Sequence, residues 1–151
     1  MATFAGKTSF FMSNEKRRKA YEWGLTAEKL ATEHLLREGY TIREQRWRPG
    51  PGHAEIDIIA ELPGVLVFVE VKARTPEEGE TREDWMADPA APAEAVNARK
   101  RRMIARAADI YLRSQERDYE YRYDIITLLG NPDDFLLTHI PDAFISPVLT
   151  K

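Results

Sequence analysis

Charged residues stand inside two runs that otherwise suit the middle of a sheet. Ile56–Ala60 and Val65–Val71 are short, apolar and rich in β-branched residues, and they flank Pro63-Gly64, a pattern that predicts two antiparallel strands and a tight turn. Glu55, Asp57, Glu70 and Lys72 lie within or against these runs. Charges are rarely buried unpaired, so any fold this chain adopts must give those four side chains either solvent or one another.

Strand geometry sharpens the constraint. Successive side chains point to opposite faces, so Glu55 shares a face with Asp57, and Glu70 with Lys72. A two-residue loop at Pro63-Gly64 pairs Leu62 with Val65 and sets Asp57 opposite Glu70 and Glu55 opposite Lys72. A loop of Glu61–Gly64 shifts the partners by two and keeps the parity, whereas a three-residue loop or a bulge reverses it. An L-proline fits the primed hairpin turns poorly, so the longer loop is the expected one. Either even loop gathers three carboxylates and an ammonium on one face.

Opposed carboxylates repel, and a cation between them removes that cost. Lys72 supplies one in part. Hard carboxylate oxygens with open positions also suit a divalent ion such as Mg2+ or Mn2+, whose remaining ligands are water or phosphate. The chemistry this suggests is phosphodiester hydrolysis, with the metal as Lewis acid and Lys72 orienting a water or offsetting developing charge. The bland alternative is a solvated ion-pair network. Leu66 and Phe68 share the face of Glu70, which makes a wholly solvated face less consistent with the pattern.

Length and charge bound the rest. A chain of 151 residues that is 43% hydrophobic builds one sizeable core and is too short for two ordinary domains. There are no cysteines, which excludes disulfides and thiolate zinc sites and fits a reducing cytoplasm. No stretch has the apolar length of a signal peptide or a membrane span. A net charge of -3 argues against non-specific coating of nucleic acid, but phosphate contact needs a basic face rather than a basic protein. Basic clusters occur at Lys16–Lys19, at Arg43, Arg46 and Arg48, at Lys72 and Arg74, and at Arg99–Arg102 with Arg106, while Glu77–Asp88 is acidic. Arg46, Arg48, Arg74, Lys100 and Arg101 are the expected nucleic-acid contacts.

In chain order, residues 1–23 read as a leader with a short helix starting at Ser13 or Asn14. A second start at Thr26 opens a firm helix that ends at Gly39. Gly24, Glu28, Ala31 and Leu35 form one stripe of it. Tyr40–Trp47 reads as a strand, and Thr75–Pro92 as a mobile acidic loop in which Trp85 and Met86 serve as anchors or cover a cleft. A second helix is expected over Ala93–Gln115, with Lys100 on its apolar stripe, where a lysine more often snorkels than acts. Strands follow at Tyr121–Leu129 and Phe135–Ile140, and Phe144 and Ile145 are positioned to dock before a tail at 147–151. The sum is a single domain over 24–146, an α/β sandwich of three-layer type, with a central mixed sheet flanked by helices in the order αβββαβ.

Taken together, Gly24, Glu28, Ala31 and Leu35, Gly39-Tyr40, Glu55-Ile56-Asp57-Ile58-Ile59-Ala60, Val67-Phe68-Val69-Glu70-Val71-Lys72 with Arg74, Glu94-Ala95-Val96, Lys100, Tyr111-Leu112, Arg122-Tyr123-Asp124, His139-Ile140 and Ala143-Phe144 resemble the YraN-like family. That family lies in the PD-(D/E)XK nuclease superfamily, with a restriction-endonuclease-like core similar to the archaeal Holliday-junction resolvases. The resemblance implies a Mg2+-dependent endonuclease acting on DNA, with branched or damaged structures as candidate substrates. It implies Asp57 and Glu70 as metal ligands with the Val71 carbonyl as a third, Lys72 as catalytic lysine and Glu28 as an accessory acid from the first helix. Glu55 also matches, without an assigned role. A non-catalytic nucleic-acid-binding scaffold is the alternative, and a homodimer is compatible with either.

Overall fold

The computed structural model describes residues 2–145. Its elements run α1 (Ala2–Arg37), β1 (Thr41–Trp47), β2 (Ile56–Leu62), β3 (Val65–Arg74), α2 (Arg82–Ala87), a 3-10 turn (Ala91–Ala95), α3 (Ala98–Arg113), β4 (Glu120–Asn131) and β5 (Asp134–Phe144). The strands form one mixed sheet in the order β1-β2-β3-β4-β5, antiparallel except for the parallel pair β3–β4 that the α3 crossover joins. This is the expected α/β sandwich. The expected tail at 147–151 lies outside the described residues.

Alternation along β3 divides the core. Val67 and Val69 meet Trp23, Ala27, Ala31 and Leu35 of α1, spaced four apart, while Leu66 and Phe68 meet Ile104, Ala107, Ala108 and Tyr111 of α3. The buried stripe of α1 therefore runs through Trp23 and Ala27 rather than through Gly24 and Glu28. One helix also runs through both expected start sites, so the expected leader is part of α1. At its other end Gly39 adopts φ +91°, and its N–H and that of Tyr40 donate to Leu36 O and Leu35 O, at 3.1 and 3.0 Å. This paired cap satisfies carbonyls that the last helical turn leaves open.

The hairpin loop corrects the expectation. Leu62 pairs with Val65, so only Pro63 and Gly64 turn, and Gly64 has φ +77°. Proline followed by a left-handed glycine is the combination of a type II turn, which the primed-turn argument overlooked. Thr75–Pro92 is not a structureless loop either. Thr81 and Asp84 form a capping box for α2, Trp85 is buried, and Thr127 Oγ1 donates to Pro89 O at 3.1 Å. Trp85 is thus an anchor, while Met86 is exposed. The second helix begins five residues later than expected, at Ala98, capped by Asn97, whose side chain accepts from Lys100 N at 2.9 Å. Phe144 docks by stacking on Tyr123 with ring centroids 4.8 Å apart, whereas Ile145 is exposed.

Candidate active site

Asp57 and Glu70 meet where the β2–β3 ladder ends. Backbone pairing runs from Leu62↔Val65 to Ile58↔Val69, and beyond it the Val71 N–H donates not to a backbone carbonyl but to Asp57 Oδ2, at 2.8 Å. The side chain replaces the missing strand partner and is fixed by it. In an extended strand the carbonyl of a residue points to the same edge as its N–H, so the Val71 carbonyl also faces the β2 side.

Glu70 lies on the α3 face, 5% exposed. It is within hydrogen-bonding reach of Asp57, a contact between two acids that requires one to hold a proton. Burial, then the Glu70 contact and charge, push the Asp57 carboxyl up to about 8; the Val71 amide and the charge of Lys100 oppose this and are outweighed. Glu70 Oε2 is buried and accepts no hydrogen bond from any described residue. Lys100 Nζ stands 3.6 Å from it, brought there by the first turn of α3.

The other expected residues divide. Glu28 accepts from Arg46 Nε at 3.1 Å, and burial, reinforced by the charges of Asp57 and Glu55, raises its pKa despite Arg46. It belongs to the α1 layer and feels Asp57 without joining the Asp57–Glu70 contact. Arg46 holds it from a left-handed backbone conformation, φ +49°, on the last turn of β1. Glu55 pairs with Arg48 at 3.7 Å, both half-exposed. Arg74 pairs with Glu80 at 3.4 Å. Arg101 is turned inward, donating to Val96 O at 2.8 Å with its guanidinium over the Phe144 ring. Lys72 is half-buried and makes no ion pair or hydrogen bond with any described residue. The cation beside the carboxylates is therefore Lys100 and not Lys72, and the snorkelling lysine of the sequence reading is a member of the site.

The donor set can be tested against a divalent ion. Among the described residues no three or more His, Cys, Asp or Glu side chains converge. Two carboxylates do meet at the β2 edge of Val71, Glu70 Oε2 has Lys100 Nζ at 3.6 Å but accepts no hydrogen bond from a described residue, and burial with the nearness of Glu70 raises the Asp57 pKa, a cost that a cation would relieve. Mg2+ keeps several waters and takes one or two carboxylates, so the residues fit that ion and do not fit a closed structural metal site.

Similarity to known proteins falls on the same elements. The model of the uncharacterised protein family UPF0102 matches residues 27–128, from the buried stripe of α1 through most of β4. The chain belongs to UPF0102. This is the YraN family that the sequence resembles. A UPF0102 protein of Bacteroides fragilis is 39% identical over 125 residues, covering 83% of this chain and 93% of the relative. One from Bacteroides thetaiotaomicron is 39% identical over 127 residues, covering 84% and 95%, and one from Flavobacterium johnsoniae is 34% identical over 127, covering 82% and 94%. The UPF0102 match includes Asp57, Glu70, Lys72 and Lys100. No described helix is long and apolar enough to cross a membrane.

Proposed function

We propose that this UPF0102 protein is a Mg2+- or Mn2+-dependent endonuclease that hydrolyses phosphodiester bonds in DNA, with branched or damaged DNA as the structures to try first. One observation carries the reading: half-buried Asp57 set against buried Glu70, whose Oε2 accepts no hydrogen bond from any described residue. Such a pair is costly for stability and useful for binding a cation. Asp57, Glu70 and the Val71 carbonyl would hold a divalent ion, which would supply Lewis-acid polarisation and a water of lowered pKa. Val71 N–H orients Asp57, and Lys100 neutralises part of the charge on Glu70. Lys72, on the same face of β3 and without an ion pair or hydrogen bond to any described residue, is available to a phosphate oxygen or to the attacking water. A cysteine-free chain suits cytoplasmic work.

Incubation of the purified protein with Mg2+ or Mn2+ and labelled linear, single-stranded and four-way-junction DNA tests this. Metal-dependent cutting that is abolished in Asp57→Asn and Glu70→Gln and reduced in Lys72→Ala is expected. Binding without cutting under every metal condition would return the protein to the scaffold alternative.

A further inference from the structure

Arg99, Arg102 and Arg106 fall at i, i+3 and i+7 on α3 and so line one face of it. They form one wall of an open cleft of about 430 Å³, and Gly52, His53 and Ala54 of the β1–β2 loop form the other. None of these three arginines makes an ion pair or hydrogen bond with any described residue, although the chain as a whole carries a net charge of -3. Arg46, Arg48, Arg74 and Lys100 each have a carboxylate partner. Gathering three guanidinium groups without a counter-charge is unfavourable, and an anion in the cleft reverses the sign of that term.

The position of the cleft defines the anion. Lys100, next to Arg99, reaches Glu70, and Ala54 lies three residues before Asp57, no more than about 10 Å along an extended chain. At ~3.4 Å of rise per nucleotide, that spans up to about three phosphates of one strand. Planar guanidinium forks match phosphate oxygens two at a time.

We infer that the Arg99–Arg102–Arg106 cleft, with His53 opposite, binds the phosphodiester backbone of a nucleic-acid strand flanking the position held by Asp57 and Glu70. The choice of ligand rests on the phosphodiesterase reading; binding itself needs no metal. Anisotropy of short fluorescein-labelled single-stranded DNA, duplex DNA and RNA in EDTA, across a salt series, reads this step without cleavage. The R99Q/R102Q/R106Q variant should bind at least ~10-fold more weakly, with the slope of log Kd against log salt shallower by about 2. R99K/R102K/R106K should retain most of that slope. The three sites are solvent-exposed or rim positions, and an unchanged thermal melt confirms that the fold is kept. The arms using DNA and RNA show which sugar the cleft accepts.

Unchanged affinity and slope in the triple glutamine variant overturn the inference, even if the wild type cuts DNA. Equal weakening by Arg113→Gln, at the far end of α3, overturns it as well, because bulk charge would then suffice. If the wild type binds in EDTA, loses binding in the triple variant and cuts nothing with any metal, the cleft stands and the hydrolytic reading fails.

Discussion

Asp57 with Glu70, and Asp124 by contrast, are acids of one sheet that are handled in opposite ways, Glu70 and Asp124 buried and Asp57 half-buried. Asp124 is 0% exposed, yet its pKa is lowered. Burial alone would raise it; bonds to His139, Arg122 and the Asp142 N–H more than offset that. Arg122 grips both carboxylate oxygens at 2.9 and 3.0 Å, His139 Nε2 lies 2.7 Å from Oδ2, and Asp142 N donates to Oδ1 at 3.0 Å. The last bond has a structural purpose. Opposite Asp124, β5 leaves register between its Ile140 and Phe144 pairings, Asp142 takes φ +52°, and the acid accepts the N–H that this bulge frees. Every oxygen is used. At Asp57–Glu70 the acids face each other, one oxygen has no donor, and burial prevails.

The largest effect expected is on stability. Asp124→Ala strands Arg122, His139 and the Asp142 N–H and should cost about 3–5 kcal/mol, measured by urea unfolding. A loss under 1 kcal/mol would dissolve the contrast.

Next in size is pH dependence, where the two sites have opposite signs. Asp57 has a folded pKa raised to about 8, so the folded state retains a proton that the unfolded chain releases near its ordinary value. Its contribution is present below that ordinary carboxylate range and is lost as pH rises toward 8, by a few kcal/mol. Asp124, with a lowered folded pKa, contributes above its ordinary range and loses that contribution as pH falls through the folded value. Unfolding free energy should therefore decline from about pH 4 to 8 in the wild type and be flatter in Asp57→Asn. An unaltered slope in that variant would place the proton elsewhere.

A smaller effect separates the sites by metal. At pH 8, Mg2+ at ten to a hundred times its Kd should stabilise the wild type and Asp124→Asn alike by about 1.4–2.7 kcal/mol, and leave Asp57→Asn unmoved. Calorimetric melts with and without the ion report it. Smallest is the half-exposed Arg48–Glu55 pair: Arg48→Ala should shift stability by no more than about 0.5 kcal/mol, and a larger loss would mean that Glu55 belongs to the buried acids.

The carboxylate pair was legible because period-two alternation and an even loop fix parity whichever even loop forms. Lys100 was not, since its helical stripe is equally consistent with a snorkelling side chain, and only the crossover brings the first turn of α3 over Glu70. The Asp124 network was invisible for a similar reason. Arg122-Tyr123-Asp124 and His139 carried the family resemblance, but their bonding depends on a bulge in the partner strand. The arginine cleft joins residues 52–54 to 99–106, so the basic cluster could be seen in the sequence and its opposite wall could not.

The sequence alone determined the strands, the two packing helices, the family and the shared face of the acids at 57 and 70, because local periodicity and β-branched runs encode these directly. Tertiary structure decided which cation meets Glu70, which buried acid is satisfied, and which arginines find no counter-charge among the described residues. Those outcomes depend on groups far apart in the chain coming within a few ångströms, where burial multiplies charge effects that sequence spacing does not reveal.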